Sequence, residues 1–305
     1  MAQRAATKEE SLYKMMRHIE IDLYRDWVAH LRNQLTEFGC EIGAISDDEK
    51  VIHTFLNLQK RLISRIPREI LKSKEFSCPQ NLQQGLSNVE GIIRQGGYLT
   101  PYLSRSIKKP DYNDPLLNHW GIHHIHLGSG IEPDGFIKRT TRMLFCRFDN
   151  KKAYFINVLP HKDSWTRQGM IRVLHENWPE SIRNFRMNGV FGLEHPITDD
   201  DVKILRNKNI NVPIEVKPGI VYGLMGGCVS ASGISADVVT QADYCIEQLE
   251  AMQRYIIDRI EEIAASAKKK GVDLPNNSQF RAAFQDEEVF AVEINCNLAV
   301  PLGKL

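Results

Sequence analysis

Apolar residues at Leu12, Met16, Ile19, Leu23, Trp27, Leu31 and Leu35 recur at three- and four-residue steps. That period lines one face of an α-helix, so a long helix is predicted near the N-terminus, stopped by Gly39 and Gly43. Ser46-Asp47-Asp48-Glu49 then has the form of a capping box, in which the Ser oxygen and the Glu side chain satisfy the first free backbone donors. A second helix follows, with Val51, Phe55, Leu58 and Leu62 on one face, and ends before Pro67. Residues 68–100 are mixed, with a turn at Gly96-Gly97.

The period changes in the middle of the chain. Gly121 to Leu127 alternates like a short strand. Arg142–Phe148 and Ala153–Leu159 are runs of β-formers around Asp149-Asn150-Lys151-Lys152, which predicts a hairpin closed by Pro160. Gly169–Asn177 reads as a short helix with Met170, Val173 and Leu174 on one side, and Thr198-Asp199-Asp200-Asp201 opens another, through Leu205. Asn211–Pro218 is a linker or short strand. Gly219–Tyr222 leads into a Gly/Ser-rich loop at 223–233. A long helix is predicted from Ala236 to Lys269, and a final strand from Val289 to Val300. The pattern describes an α+β protein in three regions. These are a helical part at 1–110, a central domain at 111–210 with a small antiparallel sheet and hairpin, and a part at 211–305 with the Gly-rich loop and the long helix.

Composition narrows the class without naming a substrate. Of 305 residues, 42% are apolar and 25% charged, as in ordinary globular proteins. Lys+Arg is 39 against 38 for Asp+Glu, so net charge signals no polyanionic partner and any such site depends on local segregation. No run approaches the ~20 apolar residues of a membrane span, and Met1-Ala2-Gln3-Arg4-Ala5-Ala6 has no apolar signal core. The six cysteines are dispersed without a C-x-x-C pair, which suits reduced thiols. The expected setting is therefore the cytoplasm, with no membrane partner.

Chemistry concentrates in the histidines. Six of the ten lie between His119 and His175, four of them in His119-Trp120-Gly121-Ile122-His123-His124-Ile125-His126. Imidazole exchanges protons near neutrality and, when neutral, ligates metals. On a strand His124 and His126 share a face with Ile122, and His123 shares the other with Ile125 and Leu127. His161 follows the hairpin's second strand. RNA cleavage needs a base for the 2′-hydroxyl, an acid for the leaving oxygen and a cation for the phosphate. Histidines near pH 7 supply the first two, and Arg142 or Arg147 supplies the third. The catalytic set expected is therefore His124, His126, His161 and Arg142. Arg147, Lys151 and Lys162 are expected to bind substrate. No cofactor is expected.

Residues 119–162 resemble the RelE/ParE-like ribonuclease toxins. The resemblance rests on His123-His124-Ile125-His126-Leu127, on Arg142-Met143-Leu144-Phe145-Cys146-Arg147-Phe148, on the Asp149-Asn150 turn, and on Tyr154-Phe155-Ile156-Asn157-Val158-Leu159-Pro160-His161-Lys162. It implies a metal-independent RNA-cleaving toxin or phage-defence effector with RNA as substrate and an inhibitor or antitoxin as partner. It places Arg142 at the phosphate and His161 at proton transfer. It leaves the N-terminal helices and residues 180–305 unaccounted for.

Two other readings come from the same residues. His124, His126 and His161 match the three protein ligands of an open zinc or iron site, for a metal-dependent hydrolase or oxygenase, with Glu132 as a more distant acidic residue. A non-catalytic binding or regulatory protein is the other, its long C-terminal helix packing on a partner or on a second copy. The loop Met225–Gly233 precedes a helix and has the backbone donors of a phosphate cradle, without a P-loop's Lys-Ser/Thr ending. His175 is placed as a helix C-terminal residue favoured by the dipole.

Overall fold

The predicted hairpin is the centre of the larger part of the molecule. The computed structural model describes residues 17–161, 164, 166–285 and 287–305. In chain order its elements begin with β1 (His18–Glu20), α1 (Leu23–Phe38), α2 (Asp48–Arg61), β2 (Glu69–Lys72), α3 (Gln83–Gln95), α4 (Pro115–Trp120) and β3 (His123–His126). The hairpin strands β4 (Arg142–Phe148) and β5 (Lys152–Pro160) follow, then α5 (Gly169–Asn177), α6 (Pro179–Ile182), α7 (Asp199–Arg206), β6 (Ile214–Lys217) and β7 (Ile220–Tyr222). The chain ends with α8 (Ala236–Asp258), α9 (Ile260–Lys269), β8 (Asn277–Gln285), β9 (Glu288–Glu293) and β10 (Leu298–Lys304). The class is mixed α+β. No helix among the described residues is long and apolar enough to cross a membrane.

The chain divides into two compact units that interleave along the sequence. One holds the described residues up to Glu37 with Ile45–Ile52 and Gln241–Leu305, and the other holds Phe38–Ala44 and His53–Thr240. The expected boundaries at 110 and 210 are therefore not the structural ones. The reason is β1, where Ile19 pairs in parallel with Ser278 of β8 and ties the beginning of the chain to its end. Ile19 thus belongs to a strand, and the first helix begins only at Leu23; Leu12 and Met16 lie outside the described residues.

In the first unit the sheet order is β1-β8-β9-β10. Its core joins Ile256, Ile260 and Ala264 of α8 and α9 to Phe280 and Ala291 of the sheet. The predicted long helix is broken at Arg259, and the predicted final strand is two strands. Glu293 is fully buried at their junction and accepts from the backbone N–H groups of Gln279, Asn295 and Cys296. That carboxylate makes a tight turn where the apolar run alone suggests continuity. At the start of α2 the cap is Asp47 rather than Ser46, its Oδ1 accepting from Glu49 N at 3.1 Å.

In the second unit the order is β2-β5-β4-β3. β3, β4 and β5 are antiparallel and β2 joins β5 in parallel, so the sheet is mixed rather than antiparallel. Asp149 shapes the hairpin by accepting from Lys151 N, Lys152 N and the Tyr154 hydroxyl. One face carries Met143, Phe145, Tyr154 and Ile156, covered by Met170, Ile171 and Leu174 of α5 and by Leu116 and Trp120 of α4. α7 opens on a complete capping box between Thr198 and Asp201, as that sequence predicts.

Candidate active site on the edge strand

β3 is an edge strand, and edges need cover. α3 comes so near that a Cβ on Gly85 would lie 1.9 Å from Leu127 O. Beyond the strand, Leu127 N donates to Thr140 Oγ1, and the 128–141 loop is drawn closed by Ile131–Ile137 pairing and by Arg105, which is clasped by Glu132 and Asp134. Glu132 is thereby engaged away from the histidines.

The alternation along β3 follows the sequence reading. His124 pairs in register with Phe145 and His126 with Met143, on the apolar-cluster face, while His123 pairs with Cys146 on the other. His124 and His126 are 6% and 4% exposed, and Ile107, Tyr112, Asp114 and Leu117 line the space beside His124. His123 is less covered as a residue, although both of its ring nitrogens are hidden and without a hydrogen-bond partner. Its ring meets Phe148 edge-on at 5.5 Å.

His161 is exposed and sits one residue past β5, its N–H donating to Thr141 O at 2.8 Å. His124 and His126 both sense its imidazole, which disfavours their protonation. His161 follows β5, and β4 lies between β5 and the strand that carries His124 and His126. Burial holds all the strand imidazoles below the usual histidine range, His126 at about 4 and His123 at about 3, and it lowers His124 as well. They are neutral at pH 7.

His124 differs from the others in having a carboxylate. Asp114 caps α4, its Oδ1 accepting from Leu116 N at 3.0 Å and Leu117 N at 3.1 Å. Its Oδ2 stands 3.5 Å from His124 Nδ1, long for a hydrogen bond but close for an ion pair. Asp114 alone among the charged neighbours of His124 favours its protonated form. The guanidinium groups of Arg61 and Arg206 also sense this carboxylate, and Arg206 lies 3.8 Å above the Trp120 ring. Asp114, Arg61, Tyr112, His123 and His124 line a cavity of about 20 Å³, far smaller than a ligand pocket. The sequence reading missed Asp114. Its signal was Asp114-Pro115, an N-cap residue followed by proline at the first helical position.

The cations are rearranged relative to expectation. Arg142 is exposed at the same end of the sheet as His126 and His161, opposite Pro160. It precedes Met143, so strand alternation sets it on the opposite face from His126. Its Nη1 donates weakly to Val158 O at 3.4 Å. Arg147 is occupied structurally, donating to Trp120 O at 3.1 Å at the end of α4 and stacking near Phe185. Lys151 lies in the hairpin turn, at the other end of β4 from His161, roughly 20 Å away at the rise of a strand. Lys162 lies outside the described residues. Arg139 is also exposed, and its charge disfavours protonation of His126.

Among the described residues no group of three His, Cys, Asp or Glu side chains stands as a metal ion requires. His124, His126 and His161 are thus not arranged as the zinc or iron reading needs. The Gly-rich loop packs tightly, since a Cβ on Gly226 would lie 1.8 Å from Leu117 O. Lys60 Nζ binds Gly226 O and Ser235 Oγ, both at 2.6 Å, and Asp237 at 3.0 Å. With the Asp237 carboxylate in the first turn of α8, this loop is a structural staple. His175 does lie in the last turn of α5, where its Nδ1 meets the Tyr222 hydroxyl at 2.9 Å.

Comparison with protein-family models, curated proteins and solved structures gives no match.

Proposed function

We propose that the chain is a metal-independent, RNA-cleaving enzyme in which His124 is the general base and Asp114 orients it. The observation that carries this reading is the 3.5 Å approach of Asp114 Oδ2 to His124 Nδ1 beside His126 and His161. A base must be neutral before it acts and must hold a proton afterwards. Burial supplies the first condition for His123, His124 and His126 alike, and the carboxylate supplies the second for His124 alone. His124 is buried, so the cover over it must open to admit the RNA; the proton of a ribose 2′-hydroxyl then passes to His124, the 2′-oxygen attacks the adjacent phosphorus, and the 5′-oxygen leaves with a proton. Exposed His161 is placed to deliver that proton, and Arg139 to hold the phosphate oxygens by paired N–H donors. A 2′,3′-cyclic phosphate and a 5′-hydroxyl are the products. The test is cleavage of a single-stranded RNA in excess chelator, beside the same strand made as DNA. The proposal expects cut RNA with a cyclic end and intact DNA. Loss of activity in chelator, or equal cutting of DNA, contradicts it.

A further inference from the structure

A cleft in the second unit is lined by none of the histidines. It is a cleft of about 730 Å³ between the start of α5, strand β6 and the 193–199 loop, within the range of small-molecule sites. Arg167, Arg172 and Lys217 line it, with Asp199 and Glu215. The two carboxylates are already engaged. Glu215 accepts from Leu193 N and Gly219 N, both at 3.1 Å. Asp199 accepts from Gln168 N at 3.1 Å and from Gln168 Nε2 at 3.2 Å. Their negative charge therefore serves to shape the walls. Arg172 and Lys217 are less committed. Arg172 donates through Nε to Val216 O at 3.3 Å, and its terminal nitrogens have no acceptor among the described residues. Lys217 makes an exposed ion pair with Glu176 at 3.4 Å, of a kind worth little.

We propose that this cleft binds a phosphate-bearing ligand of ribonucleotide size, with Arg172 as the principal phosphate contact and Lys217 beside it. A guanidinium anchored through Nε presents a fixed fork, which matches phosphate oxygens better than a mobile ammonium does. The volume admits a base and ribose as well as the phosphate. The ligand is either a free nucleotide or one unit of an RNA chain, and the two share this chemistry. The inference does not depend on His124 being a base.

The experiment is calorimetric titration of the full chain with inorganic phosphate, a 5′-mononucleotide and a short 2′-deoxy-substituted oligoribonucleotide that resists cleavage. It is repeated on Arg172→Glu, Lys217→Glu and Lys269→Glu. All three positions are exposed, and thermal midpoints check that each variant is folded. Saturable binding of the nucleotide or oligonucleotide is expected, weakened at least about fivefold in both cleft variants, the scale of one charged hydrogen bond, and unchanged in Lys269→Glu, which lies outside the cleft. If the oligonucleotide is the ligand, Arg172→Gln lowers the salt dependence by about 0.7 in log–log slope, one phosphate contact on a single strand. If the free nucleotide is, the two probes bind alike. Absence of saturable binding by every probe, or weakening below fivefold in Arg172→Glu, overturns the proposal. RNA cleavage with no cleft effect would leave the catalytic reading standing alone, and cleft binding without cleavage would do the reverse.

Discussion

Asp114 holds two structures with one carboxylate: Oδ1 takes the first free N–H groups of α4, and Oδ2 stands 3.5 Å from His124 Nδ1. The residue that starts the helix therefore also stands beside the imidazole on the neighbouring strand. Asn in its place keeps a capping oxygen but loses the charge. Asp114→Asn is expected to fold with a stability loss near that of a weakened cap, ~1 kcal/mol, and to lose ~10²-fold or more in RNA cleavage, the scale of one acid–base group. Denaturation midpoints and cleavage rates measured side by side check this. A variant with wild-type rate contradicts the role given to Asp114.

How much of this was legible in the sequence depends on whether the information was local. The hairpin, α5 and the α7 cap came from nearest-neighbour signals, and the structure places them within a residue or two of the pattern. The facing of His124 and His126 came from strand alternation in the same way. Their burial was not legible, because the residues that line the space beside His124, among them Arg61, Ile107, Tyr112 and Leu117, come from other elements of the chain. The face of Arg142 followed from its position beside Met143, but which cation shares a face with His161 depends on register between strands. β8 escaped notice because Asn277–Gln285 has only Phe280 and Phe284 as strong β-formers, and its pairing with β1 spans nearly the whole chain.

Acidification should weaken the fold in a defined window. In the native protein burial holds His119 and His126 at about 4 and His123 at about 3, while in the unfolded chain each titrates near ~6.5. The unfolded state binds more protons between these limits. Stability is therefore full above about pH 6.5 and falls as pH drops toward 4, each histidine adding about 1.4 kcal/mol per pH unit to the slope. Urea midpoints from pH 8 to pH 4 test it. A flat profile between pH 6.5 and 5 contradicts it, and His126→Gln should make the slope shallower.

Two glycines on α3 should respond oppositely to one methyl group. At Gly85 a Cβ would meet Leu127 O at 1.9 Å, whereas at Gly91 it meets nothing within 4 Å. Gly85→Ala is expected to destabilise by at least ~1–3 kcal/mol through overpacking. Gly91→Ala is expected to stabilise by roughly 0.5–1 kcal/mol through helix propensity. Chemical denaturation of the pair checks the sign. A stable Gly85→Ala protein would mean that α3 does not press on the end of β3.

Arg139 and Arg142 should respond differently to substitution. Arg139→Gln is expected to lower RNA cleavage by at least ~10-fold, as when one charged contact to the reacting phosphate is lost. Arg142→Gln, on the opposite face, is expected to change it less than about twofold, within the scatter of surface substitutions. Steady-state rates on one RNA decide between them, and the reverse ranking would return the phosphate role to Arg142.

The central claim is that the imidazoles at the end of β3 and β5 carry out the proton transfers of RNA cleavage. Its most direct measurement is the single-turnover cleavage rate of one RNA by wild type, His124→Ala, His126→Ala and His161→Ala, purified in parallel and shown to be folded. Losses of ~10²-fold or more are expected for His124→Ala and for His161→Ala, with a smaller loss for His126→Ala, which lacks a carboxylate partner. Equal cleavage by all four proteins, or none by wild type, would contradict the account.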